Sequence, residues 1–249
     1  MRGRSKDGGY EKVAHLYDLF DQKANIEFFF HYASRAREVL DIGAGTGRIA
    51  LPLAKRGITL VCVEPSPAMR REFQRRLNDQ PDLLPRIYLV AGEADSFHIH
   101  RSFHMAFLSG SFDHFLDDEE RVLSLANIGR HLYAKGRLVF DVFLGLMRDS
   151  PLSPAGIVTA GGKEYRRYVG GKILPGNKKE TQLIFEVHED GELIQRLEER
   201  SLVGLTDRQG IHCVLAEAGF NVRKEWGNYD FTPYKQGDSL LIVEAVKKN

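Results

Sequence analysis

The stretch Val39-Leu40-Asp41-Ile42-Gly43-Ala44-Gly45-Thr46-Gly47 decides how this chain is read. Its apolar half is a buried strand that stops at the first of three alternate glycines. Thr46 to Arg56 then reads as a helix closed by Gly57, with Pro52 expected to kink it. A strand that runs through bare glycine backbone into a helix forms a site for a nucleotide-type cofactor, because glycine allows positive φ and close approach of a ligand. The next apolar run, Thr59-Leu60-Val61-Cys62-Val63-Glu64, ends in an acid 17 residues past Gly47. That spacing fits one helix and one strand, and it places the Glu64 carboxylate to accept hydrogen bonds from ribose hydroxyls.

Outward from this unit the same alternation continues. Ser66-Pro67 is an N-cap followed by a first-turn proline, and Met69, Phe73 and Leu77 recur at helical spacing on one face. Arg70, Arg71, Arg75 and Arg76 flank that stripe and read as a solvated face. Arg86 to Gly92 and Phe103 to Gly110 are further strands, Asp117 to Tyr133 a helix with an acidic first turn, and Gly136 to Phe143 a fifth strand. Continuous apolar strands separated by helices indicate a parallel sheet covered on both faces. Past Phe143 the pattern changes. Ser150-Pro151-Leu152-Ser153-Pro154 reads as a break, and 163–205 has period-two character with a hairpin signal at Asp190-Gly191. Thr206 is expected to cap a helix ending at Gly219. Asn221 to Gly227 and Ser239 to Val246 lie too close for a crossover helix and are expected to pair antiparallel.

Composition narrows the function classes. In 249 residues, 35 basic side chains face 34 acidic ones, so the net charge of +1 gives no bulk attraction to nucleic acid or an anionic membrane. No apolar run is long enough to span a bilayer, and Met1 to Gly9 is polar rather than an export signal, so a cytoplasmic location is expected. Two cysteines, Cys62 and Cys213, do not make a disulfide framework.

Dinucleotide loops are spaced G-x-G-x-x-G to seat a pyrophosphate. The spacing here differs, and Val39 to Gly57 resembles the first motif of class I S-adenosylmethionine-dependent methyltransferases. Val63-Glu64-Pro65-Ser66-Pro67-Ala68-Met69 resembles the second motif of that family, Ala91-Gly92-Glu93-Ala94-Asp95 its adenine-edge motif, and Leu108 to Phe115 the segment beside the methyl donor. Leu16-Tyr17-Asp18-Leu19-Phe20 resembles the helix that closes over the donor in small-molecule members. The resemblance implies an α/β fold with a Rossmann-like, seven-stranded, mostly parallel sheet and an antiparallel last strand. It also implies one domain over 1–249, with an N-terminal helical cap at 10–36, core at 37–150 and 206–249, and a β insertion at 151–205 acting as lid, dimer surface or plug. The implied cofactor contacts are Tyr17, Asp41, Gly43, Ala44, Gly45, Gly47, Arg48, Glu64, Pro65, Met69, Glu93, Ala94, Asp95, Ser109 and Gly110. The reaction implied is methyl transfer to a nitrogen or oxygen of a small molecule, leaving S-adenosylhomocysteine. Two alternatives stay open, a methyltransferase acting on RNA or protein and a non-catalytic S-adenosylmethionine-binding protein.

A base is needed only if the acceptor must lose a proton. His114, just past the fourth strand, is the first candidate, and Tyr17 the second, as an orienting hydroxyl. Asp113 is read as an exposed turn residue that could otherwise attract a cationic amine. His98, His100 and His104 span a loop and a strand start, so their rings are expected to diverge and no metal is assigned. Some of Tyr10, Phe20, Phe28, Phe112, Phe115, Phe143, Trp226, Tyr229, Phe231 and Tyr234 are expected to line an acceptor pocket.

Overall fold

The structure, a computed structural model, describes Tyr10 and residues 12–20, 25–146 and 148–249. The Met1 to Gly9 stretch, read above for export signals, lies outside them. Strands β1 (Glu38–Ile42), β2 (Thr59–Glu64), β3 (Ile87–Ala91), β4 (Phe103–Leu108) and β5 (Leu132–Phe143) run parallel, and β10 (Phe220–Trp226) and β11 (Leu240–Lys247) complete a seven-stranded sheet. The order is β10-β11-β5-β4-β1-β2-β3, with β11 antiparallel to both neighbours. The order reverses between β1 and β4, which opens a crevice at their carboxyl ends where ligands of open α/β sheets bind. On one face α2 (Ile26–Ala36) buries Phe28, Phe29 and Tyr32 against β1 and β4. On the other, α5 (Asp118–Arg130) and α6 (Arg208–Glu217) cover Leu138, Phe140 and Val243.

Several boundaries differ from the sequence expectation. The helix after the glycine loop, α3, spans Ala50–Lys55, and Pro52 sits in its first turn. Its neighbours still bond backwards, Leu51 N–H to the Gly47 carbonyl at 2.9 Å and Leu53 N–H to the Ile49 carbonyl at 3.3 Å, and first-turn prolines are tolerated in helices, so the expected interior kink does not arise. The helix before β5 stops at Arg130 because the chain past His131 is already paired: Phe103 N–H donates to the His131 carbonyl at 2.8 Å and Leu132 opposes Phe103. Asp207, not Thr206, caps α6, accepting from Gly210 N–H at 2.8 Å. Helix α4 (Pro67–Asn78) begins as expected, with the Ser66 hydroxyl accepting from Met69 N–H and Met69, Phe73 and Leu77 buried.

The larger correction is Ser150-Pro151-Leu152-Ser153-Pro154. It forms the start of β6 (Ser150–Ala160), which pairs with β7 (Lys163–Leu174), β8 (Lys178–Glu189) and β9 (Glu192–Gly204) in a second, antiparallel sheet. β6 is an edge strand, and its register shifts at Ser150/Ser153 and Pro154/Gly156. Prolines are tolerated at edges and bulges, where a ladder N–H is dispensable, so the breaker reading fails there. Asp190 and Gly191 both take positive φ in the two-residue β8–β9 turn, the geometry a type I′ hairpin requires. This sheet packs on the N-terminal segment, where Phe185 is buried with Val13 and Leu16 and touches Phe20 at 5.6 Å. Helix α1 (Ala14–Tyr17) is a single turn, too short to persist alone, so these contacts hold it. Phe185→Ala should cost about 3–5 kcal/mol of stability and expose residues 12–20 to protease; an unchanged urea midpoint and an unchanged cleavage rate would show that the sheet does not anchor them.

Candidate active site

Gly43, Gly45 and Gly47 take φ of 67°, 57° and 80°, backbone that disfavours any side chain. A Cβ on Gly43 would lie 2.3 Å from the Ser111 hydroxyl and one on Gly47 2.4 Å from the Phe73 ring. Gly45 has nothing within 4 Å on that side, so the loop turns its bare backbone towards open space. The loop is pinned to β2, since Gly43 and Ala44 N–H both donate to the Val63 carbonyl, at 2.8 and 3.2 Å.

Glu64, 6% exposed, accepts from Gly45 N–H on one oxygen and Ser66 N–H on the other, each at 2.8 Å. Burial raises its pKa, while these two amides and Arg70 act the other way. Arg70 Nη1 donates to the carbonyls of Glu64 and Pro65 at 2.6 Å each. Asp41 is 2% exposed; burial lifts its pKa to about 7, and its Oδ2 has no hydrogen-bond partner.

A second buried acid, Asp141 near the end of β5, collects Gly110 N–H on Oδ1, and the Ser109 and Tyr229 hydroxyls on Oδ2 at 3.0 and 2.8 Å. Burial raises its pKa, and these donors oppose that rise. Arg48 joins the group, donating to Asn25 Oδ1 at 2.8 Å and approaching the Ser109 hydroxyl at 3.5 Å. Sequence reasoning gave no site role to Asp141 or Asn25, and named Tyr229 only among aromatics expected to line an acceptor pocket. Aspartate inside an apolar strand was the one available signal for this network, since a buried carboxylate must recruit donors.

The N-terminal segment reaches the same crevice. Asp18 Oδ2 accepts from the Thr46 hydroxyl at 2.5 Å and pairs with Arg76 Nη1, which also donates to the Thr46 carbonyl at 3.2 Å. The arginines of α4 are therefore not one solvated face. Arg70 and Arg76 are committed to the two loops at the ends of β1 and β2, while Arg75 pairs outward with Glu72 and Asp79. Tyr10 OH lies 2.9 Å from His114 Nε2 and its ring meets Tyr17 edge-on at 5.5 Å. Burial raises the pKa of both tyrosines, although Tyr17 as a residue is 40% exposed. Asp113 is not the exposed turn residue expected. It is half-buried, accepts from Phe143 N–H at 3.4 Å, and has its pKa lifted to about 7 by burial and by nearby Asp141.

Of the other residues singled out, Glu93 and Asp95 are exposed past β3, where the Glu93 charge acts to raise the Glu64 pKa, and Met69 is buried with Ala14 and Ala68. The three histidines do not all diverge as expected: the His98 and His100 ring nitrogens lie 3.2 Å apart, and the His104 ring alone turns away, packing on Tyr133. Among the described residues no set of three acids, histidines or cysteines could hold a metal ion. Of the aromatics, Phe28, Phe112 and Phe115 are core, Tyr10 and Tyr229 reach the crevice, and Trp226 and Phe231 line a separate cavity.

Residues 39–136 match the family model described as a methyltransferase domain. A curated relative from Bacillus cereus, described as an uncharacterized methyltransferase, is 28% identical over 149 residues, 55% of this chain and 67% of that protein. The fold is shared with the CcbJ methyltransferase of Streptomyces caelestis (TM-score 0.83, 16% identity, 99% of this chain and 100% of that one). It is also shared with the amino pentose methyltransferase CalS10 of Micromonospora echinaspora, solved with S-adenosylmethionine bound (TM-score 0.70, 20% identity, 92% of each chain). The residues around the glycine loop thus form a methyltransferase domain, and the fold built on them is shared with S-adenosylmethionine-dependent methyltransferases. None of its described helices is long and apolar enough to cross a membrane.

The Asp113 carboxyl binds its proton more tightly in the folded protein, at a pKa of about 7, than in the unfolded chain, at about 4. Its favourable contribution is complete below about pH 4 and is lost as pH rises through 7. Asp113→Asn should match wild type in urea stability at pH 4 and exceed it by roughly 1–2 kcal/mol at pH 8, allowing for partial exposure. A difference independent of pH would show that Asp113 ionises normally.

Proposed function

We propose that this methyltransferase acts on a small, amine-bearing molecule held between the glycine loop and the N-terminal segment. The observation that carries this reading is the enclosure of the crevice. Residues 12–20 are tied to the loop through Asp18, Thr46 and Arg76 and pack on the inserted sheet, a covering that suits a small acceptor rather than a macromolecular surface. The kinship in fold with an amino pentose methyltransferase supports the same substrate class.

The residues present suit the cofactor. Asp41 Oδ2, buried without a donor, would take the methionine ammonium, and Arg48 would face its carboxylate. Glu64 keeps lone pairs beyond its two amide bonds for the ribose hydroxyls. Gly43, Ala44, Gly45 and Gly47 would supply the bare backbone, with Ser109 and Gly110 opposite. Pro65, Met69 and the Glu93-Ala94-Asp95 segment would border the adenine, and Tyr17 would close the donor side. When bound, S-adenosylmethionine supplies an electrophilic methyl group on its sulfonium. The protein's task is then to align the acceptor, exclude water and remove one proton.

Asp113, close to half ionised near neutral pH, draws a protonated amine to the mouth. As the ammonium gives its proton to the Tyr10 oxygen, the Tyr10 proton passes to His114 Nε2 along the 2.9 Å hydrogen bond. The freed lone pair is then available for in-line attack. His114→Asn and Tyr10→Phe should each lower kcat about 100-fold and change its pH profile, with S-adenosylhomocysteine affinity within about twofold of wild type. An unaltered kcat and profile would remove both residues from proton transfer.

Glu64→Ala should weaken S-adenosylhomocysteine binding at least about tenfold by calorimetry; undiminished binding would overturn the cofactor placement. Acceptor class is tested by transfer of labelled methyl to amino sugars and other small amines, beside RNA and protein. Label in small amines is expected. Label only in RNA or protein, or none despite tight S-adenosylhomocysteine binding, would overturn the reading.

A further inference from the structure

A cavity of about 370 Å³ lies between α2 and the β10–β11 edge of the main sheet, apart from the crevice. Four fixed cations line it, Arg35, Arg137, Arg223 and Lys224, against a single carboxylate, Glu244. The strand register explains part of this concentration. Val222 opposes Ala245 and Lys224 opposes Glu244, so Arg223 is the extra residue of a bulge. Successive residues of a regular strand point to opposite faces. The bulge instead turns both Arg223 and Lys224 to one cavity.

Glu244 is 2% exposed and acts as the anchor of the floor. The Tyr32 hydroxyl donates to one of its oxygens at 3.1 Å, and Arg137 and Arg223 stand 3.3 and 3.7 Å from the other. That second oxygen receives no hydrogen bond, and both guanidinium groups stay partly exposed, at 31% and 50%. Their N–H donors are thus held at the cavity wall without being used up. The cationic excess is felt by His31 on the same wall, where burial and then Arg35 and Lys224 lower its pKa.

The remaining wall is aromatic. Trp226 and Phe231 meet edge-to-face at 5.6 Å, and Trp226 Nε1 donates to the Tyr32 hydroxyl at 3.1 Å. Phe231 holds a φ of 67°, a backbone conformation that a bulky residue keeps only when its packing demands it. Its ring stacks on Phe28 at 4.6 Å, and Phe28 in turn touches Tyr229 at 5.8 Å. This layer of rings stands between the cavity and the Asp141 network.

The geometry points to a second ligand site here, one that takes a planar aromatic anion of the nucleoside monophosphate type. The ring would lie against Trp226 and Phe231, and the phosphate would be held by Arg35, Arg223 and Lys224. Cations alone would serve any polyanion. Their placement around two ring surfaces in one open-mouthed cavity is what selects a ligand carrying both features.

Trp226 is the chain's single tryptophan, so its fluorescence reports on this wall alone. The test titrates the full-length protein with AMP and GMP in the presence of saturating S-adenosylhomocysteine, which occupies the donor site. A saturable change is expected, weakened by added salt and at least about tenfold weaker for inorganic phosphate and for adenosine. Arg35→Gln and Lys224→Gln should each weaken it at least about tenfold, while calorimetry shows wild-type S-adenosylhomocysteine affinity and so an intact fold. No saturable change would overturn the assignment. So would a change abolished by S-adenosylhomocysteine, one equalled by inorganic phosphate, or one retained in both variants.

Discussion

A carboxylate taken out of water at the end of β2 is tolerable only if donors converge on it, and Glu64 meets that condition with main-chain donors alone. One of its oxygens takes the amide of Gly45 and the other the amide of Ser66. These amides belong to the two loops that the cofactor chemistry needs side by side. Gly45 N–H is directed inward because Gly43 and Gly47 adopt positive φ beneath Ser111 and Phe73, where no Cβ fits. Ser66 is fixed because its own hydroxyl caps α4. The acid therefore holds the glycine loop and the start of α4 in one geometry, and Arg70, bonded to the Glu64 and Pro65 carbonyls, reinforces it from the other side. Hydrogen bonds to charged groups contribute about 1.5–3 kcal/mol each, enough to offset much of the burial of the charge.

The same dependence extends outward. Thr46, carried by the loop, is the point to which Asp18 and Arg76 attach, so the order of residues 12–20 derives from the loop as well as from the sheet above them. Across the crevice Asp141 does for Ser109 and Gly110 what Glu64 does for Gly45 and Ser66, with the loop after β10 contributing Tyr229 as a further donor. Two buried acids on β2 and β5 thus fix the rims, and a third, Asp41 on the central strand, keeps an oxygen without a partner between them.

How much of this was legible in the sequence depends on where the constraint lies. The central strands, the glycine loop, the α4 cap and the Asp190-Gly191 turn were readable, since each is set by local period or local backbone conformation. Asp141 was not assigned a role: its partners come from residues 109, 110 and 229, and nothing local marks them as neighbours. The arginines of α4 misled for the same reason, because helix periodicity says which residues share a face but not that Asp18 will sit above Arg76. The prolines at 151 and 154 were read as a break, since their tolerance depends on β6 being an edge strand, a property of the assembled sheet.

The edge position of β6 also bears on how the crevice opens. A one-turn helix has almost no stability of its own, so α1 is ordered to the extent that the apolar contact with Phe185 and the polar contact with Thr46 are both made. These contacts come from different parts of the chain, the inserted sheet and the glycine loop. Releasing residues 12–20 breaks the packing on Phe185, the contact of Ala14 with Ala68 and Met69, and the Asp18 bonds to Thr46 and Arg76, none of which belongs to the seven-stranded sheet or its two buried acids. An opening of this kind would uncover the crevice, as expected where a small set of contacts closes a site over a stable core.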